Sequence, residues 1–294
     1  MKYYSRTIVN AAVITLIIFC IASCQSKPIS KNNISVSILP QKYLVEQLLG
    51  DSTPVNVMIP KGASPATYSP SPSQIKNLSQ SLLYLKIGHI GFEQAWTKRI
   101  AEINPDLKIE DTSKGIALIR DEDHVHGDHI HKGGIDPHIW TSPKTMMIVL
   151  KNTEEALSKA FPHKKELIIS NSKKLKRQIS DLDNTFFQTC DSFKNSKFYI
   201  FHPAYTYLAR DYGLEQISVE HKGKEPSAQW IKKLIDDGRE QNIKAIFVQE
   251  EFDKRNAEVI SSELNIPIIQ VNPLSEDWFV EMNHLLSKLE KTLR

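Results

Sequence analysis

From His163 to Asp191 the chain contains no glycine and no proline. Within that run Leu175, Ile179, Leu182, Phe186 and Cys190 recur at spacings of four, three, four and four. This is the period of a single buried stripe on an α-helix. At 1.5 Å per residue the helix would be about 40 Å long, more than one small lobe needs. A rigid helix crossing between two lobes is therefore expected.

The segments on either side alternate between strand and helix. Before it, "ISVSILP" (Ile34 to Pro40), "VNVMIP" (Val55 to Pro60) and "LLYLKIG" (Leu82 to Gly88) read as strands. "QKYLVEQLLG" reads as a helix closed by Gly50. A second helix starts at Ser71, with Pro72 at its first position and Gln74 three residues after the cap. After the long helix, "KFYIFHP", "EQISVE", "AIFVQ" and "IPIIQV" read as strands, with helices between them and a final helix in "DWFVEMNHLLSKLEKTL". The expected fold class is α/β: two lobes, each a mainly parallel sheet flanked by helices, joined by the long helix and facing each other across a cleft.

The N-terminus bears on compartment. Lys2 and Arg6 precede an apolar run from Ile8 to Phe19, the length of a signal-peptide core and short for a membrane span. "IASC", ending at Cys24, resembles the lipobox of bacterial lipoproteins, which implies cleavage before Cys24 and lipidation of its thiol and new amino group. Residues 1–23 are then a signal peptide and 24–32 a polar tether. The first lobe is expected over 33–162, the linking helix over 163–193 and the second lobe over 194–294. The mature chain would be a lipid-anchored protein of the cell envelope, on its periplasmic or extracellular face. Cleavage removes two of the 37 basic residues, leaving 35 against 34 acids. A nearly neutral chain offers no electrostatic case for nucleic acid. Cys190 is left as the lone free thiol, so metal chemistry would rest on His, Asp and Glu.

In open α/β sheets, ligands bind in the crevice beyond the carboxyl ends of the strands. His202 follows "FYIF", Gln249 and Glu250 follow "AIFV", Asn272 follows "IIQV", and His138 lies in the turn "DPHIW". Imidazoles combined with oxygen ligands suit Zn²⁺ or Mn²⁺ better than Mg²⁺ or Ca²⁺.

With these residues in view, the chain resembles the solute-binding lipoproteins of zinc/manganese ABC transporters. "GASPATYSPSPSQI" is similar to the family segment Gly-x-x-Pro-His-x-Tyr-x-Pro, and "DPHIWTSP" to Asp-Pro-His-x-Trp-x-x-Pro. "IGHIGFEQAW", "FHPAYTYLARDYGL" and "GKEPSAQ" match further family stretches, in the family order. The resemblance implies two α/β lobes joined by one long helix, and a monomeric receptor that delivers a metal ion to a membrane permease. It carries His138 and His202 over as ligands. It also exposes two departures: Ala66 stands where the family has its first histidine, and Asn272 where the family often has an aspartate. Gln249 and Glu250 are the leading substitutes, with Glu251 behind them and Glu220, His221, a water or a loop histidine as further options.

The tract "DEDHVHGDHIHKGG" places His124, His126, His129 and His131 just before "DPHIW". It is expected to be a mobile loop that collects ions weakly without a preformed tetrahedral site, and it favours zinc over manganese. Two rival functions stay open at this level. One is a degenerate family member that acts as an adhesin or binds another small ligand. The other is an envelope-anchored metallohydrolase, although neither His-Glu-x-x-His nor Gly-x-Ser-x-Gly occurs.

Overall fold

The computed structural model describes residues 33–50, 53–65, 67–120, 134–221 and 223–294, together with two backbone strands at 124–126 and 129–131. Its first half runs β1 (Ile34–Val36), α1 (Leu39–Leu49), β2 (Val55–Val57), α2 (Pro72–Ser79), β3 (Leu83–Lys86), α3 (Gly91–Ile103) and β4 (Lys108–Asp111). Strands β5 (His124–His126) and β6 (His129–His131) follow, then a 3₁₀ turn (Ile139–Thr141) and α4 (Pro143–Ala160). The long helix is α5 (Lys165–Asp191), entered through a second 3₁₀ turn, Pro162–Lys164. The second half runs β7 (Lys197–Ile200), α6 (Thr206–Tyr212), β8 (Glu215–Ser218), α7 (Ala228–Glu240), β9 (Ile246–Gln249), α8 (Arg255–Leu264), β10 (Ile268–Val271) and α9 (Trp278–Leu293).

Each half forms one four-stranded parallel sheet, in the orders β2-β1-β3-β4 and β10-β9-β7-β8. The α/β class inferred from sequence holds. Both halves share one topology: the chain lays its second strand on one side of the first and its third on the other. The order reverses between β1 and β3, and again between β7 and β9. Those reversals are where a crevice opens at the carboxyl ends of the strands.

Local signals explain the element ends. Gly50 takes φ 63° and closes α1 in the left-handed conformation, which glycine adopts without steric penalty. At α2, the Ser71 hydroxyl accepts from Gln74 N–H and the Gln74 side chain accepts from Ser71 N–H at 2.9 Å, a reciprocal cap. Sequence reading did not assign β4 or α3. The latter begins in "IGHIGFEQAW", where the buried Glu93 carboxylate accepts from the N–H groups of Ile87 and Gly88 at 2.8 and 2.6 Å.

The stripe on α5 is buried as its period requires: Ile168, Leu175, Ile179, Leu182, Phe186 and Cys190 are all inside. The helix packs on α1 and α4 from the first half and on α6 and α9 from the second. One hydrophobic core therefore runs from the first sheet through α5 to the near face of the second sheet, taking in Phe198, Ile200 and Phe247. Tyr199, Phe201, Ile246 and Val248 point the other way into a smaller core under α7 and α8. The alternation along β7 and β9 is the period of a sheet covered on both faces. Burial pushes the Cys190 thiol up to about 12, so it is packing and not a reactive group.

Leu175→Ala should lower the unfolding free energy by about 2–5 kcal/mol, the cost of a core cavity. Phe187→Ala, at a position 61% exposed on the same helix, should cost at most about 1 kcal/mol. Urea unfolding of the two variants measures both.

Candidate metal centre

The turn bearing His138 is fixed from both sides. Asp136 Oδ1 accepts from His138 N–H at 2.8 Å, folding the chain back as an Asx turn. The next residues are held by the second half of the molecule. Trp140 Nε1 donates to the Pro273 carbonyl and Trp278 Nε1 to the Trp140 carbonyl, each at 2.7 Å. The Thr141 hydroxyl donates to the Ala204 carbonyl at 2.9 Å, and the Tyr207 hydroxyl to the Asp136 carbonyl at 2.8 Å. All of these groups are buried.

His202 lies two residues beyond the end of β7, at the strand reversal of the second sheet. The fully buried Gln249 side chain brackets its peptide: the Gln249 Oε1 accepts from His202 N–H at 3.3 Å and its Nε2 donates to the His202 carbonyl at 2.6 Å. Phe252 stacks on the imidazole, with centroids 5.4 Å apart and planes at 21°.

The two rings meet edge to face, and their Nε2 atoms are 3.3 Å apart. Each Nδ1 is engaged by a carboxylate, His138 by Asp136 Oδ1 at 2.8 Å and His202 by Glu220 Oε1 at 2.9 Å. An Nδ1–H donated to a carboxylate fixes the tautomer and leaves the Nε2 lone pair free. Two free lone pairs at hydrogen-bond distance have no donor between them. A proton or a metal ion placed between them resolves the conflict. Burial opposes ionisation of Asp136, but the His138 charge and hydrogen bonds from His138 and Thr206 outweigh it and hold the carboxyl below the usual range.

The other candidate residues have different surroundings. Gln249 uses both ends of its amide on the His202 backbone. Glu250 is exposed and accepts from Asn272 Nδ2 at 3.3 Å. Asn272 spends its Oδ1 on Leu274 N–H at 3.1 Å, a turn contact. Glu220 stands behind His202, on Nδ1. His221 is exposed and packs on Trp230, with centroids 4.3 Å apart. Glu251, ranked low from sequence, is the half-buried carboxylate that feels His202. Burial pushes its carboxyl up, and the His202 ring and its own backbone N–H act against that rise. Among the described residues no group of three or more His, Cys, Asp or Glu side chains is gathered as a ligand set. Ala66 and Cys24 lie outside the described residues.

The histidine tract is not featureless. Strands β5 and β6 pair antiparallel with His124 opposite His131 and His126 opposite His129. The missed signal was His-x-His occurring twice, a period of two in the sequence.

Comparison with known proteins gives a consistent picture. The family profile described as the periplasmic component A of the zinc-uptake complex (ZnuA) matches residues 34–292. The high-affinity zinc uptake system protein ZnuA of Bacillus subtilis is 28% identical over 287 residues, covering 93% of this chain and 89% of that one. The zinc-binding lipoprotein AdcA of Streptococcus pneumoniae is 26% identical over 285 residues, covering 92% of this chain. The chain spans 56% of that longer relative. A crystal structure of ZnuA superposes with a TM-score of 0.81 at 32% identity, covering 89% of this chain and 99% of the other.

Replacing Gln249 with leucine should destabilise the metal-free protein by about 1–3 kcal/mol, because it leaves the His202 N–H without a partner, while the His202 carbonyl still accepts from Ala204 N–H at 2.7 Å. Glu250→Gln, at an exposed position, should stay within about 0.5 kcal/mol. Chemical denaturation of both variants separates the bracket from the surface carboxylate.

Proposed function

The chain belongs to the ZnuA family of periplasmic zinc-uptake components, and on that premise we propose that it is a receptor holding one divalent metal ion between His138 and His202. Members of this family are solute-binding receptors and not enzymes, which sets the metallohydrolase reading aside. The ion is cargo, handed to an ABC-transporter permease.

One observation carries the reading. With Zn–N bonds of 2.0–2.1 Å, two imidazoles on a tetrahedral ion place their nitrogens about 3.3 Å apart. The Nε2 atoms of His138 and His202 have that separation. The carboxylates behind them are the outer partners that metal-bound histidines normally keep. Zinc is the first choice and manganese the second, because imidazole-rich sets favour the later ions of the first row. Glu251 is the proposed third ligand, with water completing the shell.

His124, His126, His129 and His131 are proposed as a weak collecting site for the ion. Residues 33–162 and 194–294 serve as the two lobes, with 163–193 between them. Lipid on Cys24 would keep a monomeric receptor at the envelope surface beside its permease.

Purified mature protein should contain about one zinc per chain by elemental analysis and keep it when residues 121–134 are deleted. His138→Ala combined with His202→Ala should empty it; unchanged metal content in that double variant would sink the assignment. Asp136→Asn or Glu220→Gln should weaken zinc binding about 10- to 100-fold in chelator competition. Affinity should also fall as pH falls, since protons compete for the same two Nε2 atoms.

A further inference from the structure

Between Lys159 and Arg177 the chain carries seven basic residues and one acid, Glu166. Between Gln178 and Phe193 it carries three aspartates and no base. Helix stability gives no reason for this order, since the macrodipole favours acids toward the N-terminal end of α5 and bases toward its C-terminal end. Helices α4 and α5 pack together across the short Pro162–Lys164 turn. Ser172 and Lys176 of α5 both donate to Glu154 of α4, which fixes how the two helices lie side by side. Lys151 and Lys159 of α4 are thereby on the same end of the pair as Lys165, Lys173, Lys174 and Arg177 of α5, and all six are exposed. Lys176 is paired with Glu154 at 2.5 Å, whereas these six form no ion pair among the described residues. Leu167, 45% exposed, lies in the same stretch.

This end of the molecule also receives the chain from its N-terminus. Asn171 Nδ2 donates to the Leu48 carbonyl at 3.0 Å, at the end of α1. Helix α1 has by then returned the chain to the edge where β1 and β2 begin, and there Ile34 N–H donates to the Pro54 carbonyl at 3.3 Å. Strand β1 therefore starts on the side of the basic stretch. Residues 24–32 precede it and contain Lys27 and Lys31 but no acid. A segment of that length spans at most about 30 Å, so lipid on Cys24 would confine this edge close to a phospholipid surface.

We propose that the exposed end of the α4–α5 pair is a docking surface for an anionic phospholipid membrane. Its lysine and arginine side chains meet the headgroup phosphates, and Leu167 enters the interface between them. The crevice lies at the opposite edge of the first sheet, beyond the carboxyl ends of its strands, so the docked receptor keeps it turned away from the lipid. The proposal rests on the reading that Cys24 carries the lipid, which brings the surface within reach.

The test uses the mature chain with Cys24→Ser, so that acylation plays no part, and vesicles of phosphatidylcholine with or without about 30% phosphatidylglycerol. The chain should sediment with the anionic vesicles and not with the neutral ones, and about 0.5 M salt should release it. Lys173→Gln combined with Lys174→Gln should weaken binding about 30-fold, at about fivefold for each charge near the surface. Lys232→Gln combined with Lys233→Gln makes the same charge change on α7, where both lysines are paired with aspartates. That control should bind within about twofold of the parent. Equal losses in the two variants reduce the effect to net charge and overturn the surface. Absence of binding to the anionic vesicles, or equal binding to the neutral ones, overturns it as well. Tighter binding to soluble polyphosphate than to the vesicles overturns the membrane as its occupant. In cells, recovery of the chain outside the membrane fraction with Cys24 intact overturns the anchor, whereas vesicle binding by the Cys24→Ser chain supports the surface whether or not the anchor holds.

Discussion

The pair of indole hydrogen bonds between Trp140 and the Pro273–Trp278 segment sets the geometry on which the centre depends. His138 lies in a turn of the first half and His202 beyond a strand of the second, 64 residues apart in sequence. A 3.3 Å separation of their ring nitrogens survives only if the two halves cannot slide. Trp140 and Trp278 each place an indole N–H on a carbonyl of the opposite segment, in nearly solvent-free surroundings. Breaking either bond would leave a buried donor and a buried carbonyl unpaired, at about 1–3 kcal/mol for each group. Thr141 and Tyr207 add two more such bonds. The two imidazoles thus meet across a seam that is already closed.

A continuous core reinforces that seam. Because α5 packs on helices from both halves, moving one sheet against the other would open apolar surface along the whole helix. Interiors packed at this density do not deform gradually. Side-chain rearrangements around the imidazoles, such as a turn of the Phe252 ring stacked on His202, leave that shared core intact.

Much of the fold could be read from the chain because its signals are local. The apolar spacing on α5, the Ser71–Gln74 cap and the left-handed Gly50 each depend on a few neighbouring residues. Of the site, His138 and His202 were legible because strand ends and the Asp-Pro-His turn mark them directly. The remainder was not, for a physical reason. Gln249, Glu250 and Glu251 are consecutive, and which of them faces the imidazoles depends on how β9 ends and on hydrogen bonds to residues about fifty positions away. Gln249 turns inward as expected of a strand end but uses its amide on the peptide of His202. The carboxylates behind the imidazoles, Asp136 and Glu220, were visible as residues but not as partners, since nothing in sequence ties Glu220 to His202. The paired strands at 124–126 and 129–131 were hidden by their composition: histidine was read for its chemistry, while its alternation with Val125 and Ile130 in sequence carried the structure.

The two departures from the family pattern do not weigh equally. At 272 the change from a charged to a neutral residue has a visible consequence. An aspartate there would set a third carboxylate against Glu250 and Glu281, and like charges brought together in a partly buried site oppose one another. Asn272 instead donates to both, through Nδ2 to Glu250 and through its backbone N–H to Glu281. The asparagine becomes a bracket between the carboxylates of Glu250 and Glu281. A cation is drawn by the summed field around it more than by any one position, so carboxylates at 250 and 281 can attract one without a charge at 272.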